Sequence, residues 1–197
     1  MNLRALCRNN RKRSEPYATS EDFRRLFLED KSSLHLLSFL LTADQDKAEK
    51  CFVSGLEDCL DRNSVFAEWA GTWARRTIVQ NAIRMMAPVR GDSGQTSPSA
   101  SLHVVRRITQ STEDDSRFAG VLSLTKFDRF VFVISVLERY PDQECARLLG
   151  TSISEIRQTR ERAVQQVAEF SRGKDQSTTK TEGPVAGYRA SVATVGH

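Results

Sequence analysis

Hydrophobic residues recur at three- and four-residue steps along the first half of the chain, which predicts amphipathic helices and no strands. The clearest stripe covers residues 48–60, where the apolar positions fall on one helical face. Another covers residues 66–85, and an earlier one over residues 23–41 is wide enough to indicate packing on more than one side. Thr19, followed by acidic residues, is typical of a helix start. Residues 19–87 are therefore predicted to form one helical domain.

The second half of the chain predicts another helical domain, over residues 118–170. Within it, residues 127–137 are apolar on nearly every side, so this helix is expected to be surrounded by protein. Between the two domains, the Gly, Ser, Thr and Pro content of residues 88–117 indicates a flexible linker. Residues 1–18 are predicted to be a disordered basic arm and residues 171–197 a disordered tail. The predicted fold class is all-α, with two small helical domains.

Residues 140–156 have the spacing of a helix-turn-helix. Pro141 suits the first turn of a helix, and Gly150 suits the sharp turn that follows it. Between them, Cys145 is expected to face inward, and Ala146 is small where the two helices would cross. These positions agree with one another, so the sequence favours a DNA-binding motif over a plain helical hairpin with solvated charges, which is the alternative.

The second helix of this motif is predicted to carry a polar outer face. Ser152 or Ser154 can cap its start. Its inward anchors are predicted to be Ile153, Ile156, Ala163, Val164 and Val167. Its outward residues are predicted to be Ser154, Arg157, Gln158 and Glu161. In a major groove, a guanidinium is suited to guanine and an amide to adenine, so Arg157 and Gln158 are the candidate base-reading residues.

Composition narrows the classes of function further. The 197 residues include 29 Lys and Arg against 25 Asp and Glu, and a net charge of +4 permits a polyanionic partner. The four cysteines form no C-x-x-C pair, and Cys51, Cys59 and Cys145 fall in apolar stripes, which predicts buried thiols. The three histidines lie far apart in sequence. We therefore expect no metal, no cofactor and no enzyme activity.

The chain lacks a run of about 18 apolar residues, and its basic start is not followed by an apolar stretch. A protein without a membrane span or a secretion signal is expected to be cytoplasmic and not to insert into a membrane.

Together these segments resemble the sigma-70 class of bacterial RNA polymerase initiation factors, in particular the small extracytoplasmic-function group that keeps only regions 2 and 4. Residues 34–85 resemble region 2: LTADQDKAE at 41–49 is similar to the start of its polymerase-binding helix. FAEW at 66–69 and WARR at 73–76 are similar to its promoter-melting helix. Residues 124–167, with the helix-turn-helix, resemble region 4.

The resemblance implies three binding surfaces. Core RNA polymerase would bind residues on the outer side of the first stripe, namely Asp46, Glu49, Val53, Leu56 and Glu57. Promoter DNA near the start site would meet Arg62, Asn63, Ser64, Trp73, Arg75 and Arg76, whereas Trp69 is expected in the core. The upstream promoter element would meet Ser154, Arg157, Gln158 and Arg162. An anti-sigma factor is a further partner that the resemblance admits.

The implied function is that of a DNA-templated transcription initiation factor, which binds core RNA polymerase and directs it to promoters. The alternative is a sigma-like protein without promoter recognition that regulates by binding a partner. Lys50, Val53 and Ser54 depart from the family pattern in the polymerase-binding helix, and Thr159 and Arg160 depart from it in the recognition helix. These departures favour the alternative.

Overall fold

A computed structural model describes residues 17–61, 65–88 and 113–178. In these ranges the chain is helical and forms no strand, so the predicted all-helical class is confirmed there. An isolated antiparallel bridge joins Tyr17 to Phe66. In chain order the helical elements are α1 (Ser20–Glu29), α2 (Lys31–Thr42), α3 (Gln45–Asp61), a 3-10 turn (Ala67–Trp69), α4 (Ala70–Met86), α5 (Glu113–Leu122), α6 (Lys126–Phe132), a π-helical segment (Val133–Leu137), α7 (Asp142–Leu149) and α8 (Ile153–Thr178).

The described residues 17–88, which we call the N-terminal unit, hold α1 to α4. Thr19 caps α1 as predicted: its hydroxyl accepts the backbone N–H of Asp22 at 3.2 Å, and the Asp22 carboxylate accepts the backbone N–H of Thr19 at 2.9 Å. The other three helices pack on one another through their apolar stripes. Cys51 and Cys59 are fully buried on α3, in agreement with the sequence.

Residues 113–178, which we call the C-terminal unit, are built around α6. Its apolar residues are buried on all sides, as the sequence predicted, and Asp128 and Arg129 are buried with them. The longer α8 packs against α5, α6 and α7. The Asp128 carboxylate accepts a hydrogen bond of 2.6 Å from Arg162 of α8, so one buried carboxylate joins the central helix to the last one.

The two units pack against each other. Helix α2 contacts α5, α6 and the π-helical segment, and α4 contacts α7. The buried apolar residues of both units form one continuous cluster. The wide apolar stripe of α2 is thereby explained, because this helix is covered from both sides. This arrangement differs from the sequence prediction of two separate domains, since the apolar pattern does not identify the neighbour that covers a helix.

Three predicted boundaries also move. The basic arm was expected to reach residue 18, but Ala18 is buried and its N–H donates to the Val65 carbonyl at 2.7 Å. Helix α5 begins at Glu113, inside the predicted linker, and α8 continues to Thr178, inside the predicted tail. The rest of the predicted arm, linker and tail lies outside the described residues.

Within the described ranges, no helix combines the length and the apolar character needed to cross a membrane.

Candidate functional site

The helix-turn-helix segment is formed by α7, the turn at Gly150 and α8. Gly150 has φ of 65°, in the left-handed region where a side chain is disfavoured, so a glycine is suited to this turn. Cys145 and Ala146 are buried, and Ile156 of α8 is fully buried. Ser152 caps α8, because its hydroxyl accepts the Glu155 N–H at 3.2 Å. The turn, the inward residues of α7 and the cap agree with the sequence.

Two predicted anchors of α8 are exposed instead. Ile153 and Val164 are 40% and 43% exposed, whereas Ala163 is fully buried. Thr159, which was not among the predicted anchors, is buried and takes an inward position. The inward face of α8 is therefore formed by Ile156, Thr159 and Ala163, at steps of three and four residues.

The outward residues of α8 lie where the sequence put them. Ser154, Arg157, Gln158 and Glu161 are exposed. Arg157 Nε donates to Asp142 of α7 at 2.7 Å, and Arg160 also binds that carboxylate. These two guanidinium groups lower the pKa of Asp142. Asp142 therefore fastens the outer face of α8 to the start of α7.

The proposed polymerase-binding residues form a continuous surface on α3. Asp46, Glu49 and Val53 are exposed, and with Lys50 and Ser54 they line a shallow depression of about 460 Å³. Leu56 is half-buried and Glu57 is exposed. This surface carries the carboxylates of Asp46, Glu49 and Glu57 beside Lys50 and the exposed side chain of Val53.

The residues expected to bind DNA near the start site are divided. Arg62, Asn63 and Ser64 lie outside the described residues. Trp73, Arg75 and Arg76 lie together on α4, but they are turned towards the C-terminal unit. Trp73 lines an open pocket of about 280 Å³ on the N-terminal unit, which Leu148 of α7 borders.

Arg75 and Arg76 are paired with carboxylates of the C-terminal unit. Arg75 donates to Glu138 through Nε at 2.7 Å and Nη2 at 2.5 Å, which is a two-pronged contact. The hydrogen bonds to Glu138 raise the pKa of Arg75. Arg76 donates to Glu144 of α7. No sequence pattern indicated these pairs, because their partners lie 63 and 68 residues away.

Three aromatic rings lie together at the start of α4, in a cluster that sequence reasoning missed. Tyr17 stacks on Phe66 with ring centroids 4.9 Å apart, and Trp69 meets Phe66 edge-on at 5.3 Å. All three are exposed, Trp69 to 58%. The prediction that Trp69 belongs to the core is wrong. Trp69 has the sequence spacing of the apolar stripe, but it lies in the 3-10 turn Ala67–Trp69, before the first residue of α4.

The described cysteines have no features of a reactive or metal-binding site. Cys51, Cys59 and Cys145 are free and fully buried, and burial raises the pKa of each thiol to about 11. They are therefore protonated at neutral pH. Among the described residues, no group of three or more His, Cys, Asp and Glu side chains could hold a metal ion.

Comparison with protein-family models, curated proteins and solved structures found no match to this chain.

Proposed function

We propose that this chain is a DNA-templated transcription initiation factor that binds core RNA polymerase and directs it to promoters. The observation that carries the proposal is the α7–Gly150–α8 motif, whose second helix holds Ser154, Arg157 and Gln158 on an exposed face. A guanidinium and an amide on adjacent residues of such a helix are suited to guanine and adenine edges in a major groove.

The exposed face of α3 supports the polymerase-binding part of the proposal. Asp46 and Glu49 are three positions apart in α3, so their carboxylates lie on the same side of the helix. Val53 extends this side by one turn and is 44% exposed. An acidic surface with an exposed aliphatic residue fits a basic partner helix with an apolar strip. The resemblance to region 2 makes core RNA polymerase the expected partner.

The aromatic cluster of Tyr17, Phe66 and Trp69 supports contact with separated DNA strands. Unpaired bases stack on exposed aromatic rings with little dependence on sequence. The cluster directly follows residues 1–16, which contain five Lys and Arg residues and one Glu. Cations beside aromatic rings are the combination that single-stranded nucleic acid requires. Glu68 and Glu21 are exposed nearby in sequence, so the phosphate contacts would have to come from the basic segment.

The second candidate is a sigma-like regulator that binds a partner and does not recognise promoters. The observation that favours it is the ion pairing described above. Four of the cations expected to meet DNA bind carboxylates of this chain, namely Arg75, Arg76, Arg157 and Arg162. A protein whose basic side chains are all neutralised would bind nucleic acid weakly.

Co-purification with bacterial core polymerase tests the polymerase-binding part of the proposal. Glu49→Lys with Val53→Glu should abolish co-purification of core polymerase, because it reverses one charge and inserts another in the apolar position. Glu21→Lys with Leu28→Glu makes the same changes on the exposed face of α1 and should leave co-purification unchanged. If both double variants recover polymerase as well as the wild type, polymerase binding through α3 is disproved.

A transcription assay with the same core polymerase tests promoter recognition. Replacement of Arg157 or Gln158 by Ala should each cost about 1 to 3 kcal/mol at the preferred promoter, with little loss of nonspecific binding, because base contacts carry sequence information. The readout is the yield of specific transcripts from a genomic library and the affinity for the selected promoter. Full polymerase binding together with transcripts that are insensitive to both replacements would favour the partner-binding regulator.

A further inference from the structure

Charged groups pair across the contact between the two units, beside the apolar cluster that both units share. All three kinds of donor on the Arg75 guanidinium are occupied: Nε and Nη2 donate to Glu138, and Nη1 donates to Ser33 Oγ at 2.9 Å. Arg76 donates to Glu144. In the C-terminal unit, Arg129 reaches across to the Leu41 carbonyl at 3.5 Å. In this arrangement three of the five N–H groups of the Arg75 guanidinium donate to side chains of this chain.

Because Glu138 is buried, a polyanion can displace the Arg75–Glu138 ion pair only if both side chains are released together. The Glu138 side chain is 7% exposed and the Arg75 side chain is 35% exposed. A carboxylate so shielded from water depends on its cation, and loss of one partner leaves the other poorly solvated. A polyanion that takes Arg75 must therefore move Glu138 into water, and this requires the two units to separate.

The apolar part of the contact includes unpaired polar groups. The Trp73 indole N–H and the Tyr140 hydroxyl are buried and have no hydrogen-bond partner among the described residues. A buried polar group without a partner weakens an interface. The units are thus joined by ion pairs and by a shared apolar core beside which two buried polar groups are unpaired.

We propose that this closed arrangement masks the nucleic-acid-binding cations of α4, with Glu138 and Glu144 occupying the positions that phosphates would take. Closure and nucleic-acid binding then compete for Arg75 and Arg76. The inference rests on the proposed nucleic-acid binding of these two residues, but not on polymerase binding. By linkage, whatever opens the units strengthens binding of a polyanion, and a bound polyanion favours opening.

The test uses a double variant that carries both Glu138→Gln and Glu144→Gln. It is compared with a control double variant that changes the net charge by the same amount. Glu21→Gln with Glu29→Gln is that control, because both residues are exposed and their ion pairs with described residues lie within α1. A second variant, Glu138→Asp with Glu144→Asp, shortens both carboxylates without changing the charge. It keeps the test decisive if the glutamine variant fails to fold. All are made in the full chain and checked for helical circular dichroism.

Opening is measured by the accessibility of Trp73. The chain has two tryptophans, so Trp69→Phe leaves Trp73 as the single fluorophore. In this background, opening should shift Trp73 emission to the red and increase its quenching by acrylamide. The α1 control should leave both unchanged. Binding is measured separately as the fluorescence anisotropy of a short labelled single-stranded DNA at constant salt, with Trp69 in place.

The expected result is that the Glu138 and Glu144 variants open the chain and bind the DNA about fivefold or more tightly than the α1 control. Adding Arg75→Ala and Arg76→Ala should remove that gain. If opening occurs but affinity matches the control, masking is disproved while DNA binding by the wild type still supports the proposed function. If Trp73 accessibility is unchanged, closure by these pairs is disproved. If neither the wild type nor an opened variant binds DNA, the inference and the DNA-binding part of the proposed function both fail.

Discussion

At the scale of single residues, three glycines in helices or turns have different structural roles. Gly150 holds a positive φ, with no heavy atom within 4 Å of the place where a Cβ would lie. Gly55 is enclosed: a Cβ there would lie 2.8 Å from Ile78 Cγ1. Gly71 has only ordinary contact, at 3.6 Å from Leu26 Cδ1. Backbone conformation therefore requires glycine at position 150, and close helix packing requires it at position 55. Neither reason applies at position 71.

We expect alanine at these positions to separate the two causes. Gly150→Ala should lower the free energy of unfolding by about 1 kcal/mol, because a Cβ strains the left-handed conformation. Gly55→Ala should lower it by about 1 to 3 kcal/mol through overpacking of α3 against α4. Gly71→Ala, the control, should leave it unchanged or raise it slightly. Urea denaturation followed by circular dichroism measures all three, and equal stability of the Gly55 and Gly71 variants would contradict the packing argument.

Residue-scale prediction from the sequence succeeded for the buried cysteines and failed for Trp69. Cys51 and Cys59 lie within the regular α-helix α3, on its apolar stripe. Trp69 lies at the edge of its stripe, where the backbone changes from a 3-10 turn to α4. Extrapolating a period of 3.6 residues fails at such an edge because the 3-10 geometry turns side chains by a different angle.

At the scale of elements, Asp142 links the two helices of the helix-turn-helix. It lies in the first turn of α7 and accepts hydrogen bonds from Arg157 and Arg160 of α8. The same contact shares one negative charge between two cations of α8. Helix geometry and surface charge in this motif therefore depend on one carboxylate.

Stability of the motif should depend on pH through this residue. The pKa of Asp142 is lowered in the folded protein. Its pairing therefore stabilises the fold above the ordinary carboxyl pKa of about 3.9, and this contribution is lost as the pH falls through the lower folded value. We expect Asp142→Asn to melt at a lower temperature than the wild type at pH 7. The gap should narrow below about pH 4.

The pH series needs a control because other carboxylates also titrate. Asp22 has a lowered pKa as well, through its hydrogen bonds with Thr19, and it lies in α1. Asp22→Asn should show the same narrowing without a change in DNA affinity. Asp142→Asn should in addition alter binding by freeing Arg157. A melting gap for Asp142→Asn that stays constant from neutral to acid pH would show that the ion pairs contribute nothing to stability.

At the scale of the whole molecule, the described residues form one body in which α2 is shared. Its buried residues, among them Leu34 and Leu41, contribute to the core of the N-terminal unit, and its other side meets α5 and α6. Arg129 is buried at this junction, and burial lowers its pKa to about 10, so it remains charged at neutral pH. It donates to carbonyls at Leu124 and Leu41, near the ends of α5 and α2, where the helix dipole favours a cation.

We expect the two units to stay together after the chain is cut between them. A protease site inserted between Gly91 and Gly94 allows cleavage without changing a described residue. The fragments should elute together in gel filtration at low salt, because α2 and α4 hold the C-terminal unit. With Glu138→Gln and Glu144→Gln they should separate. Separate elution of the wild-type fragments would contradict the packing of the units.

The sequence by itself determined the helices, the inward faces of most of them and the turn at Gly150. These features depend on neighbours within a few residues, so the apolar period, Thr19 and Gly150 were sufficient to predict them. Only the tertiary structure decided which cations are free and which helix covers the second side of α2. Arg75 pairs with Glu138 because packing brings α4 to the end of the π-helical segment. No local sequence pattern encodes a contact between groups 63 residues apart, because the contact forms only when the two helical segments pack together.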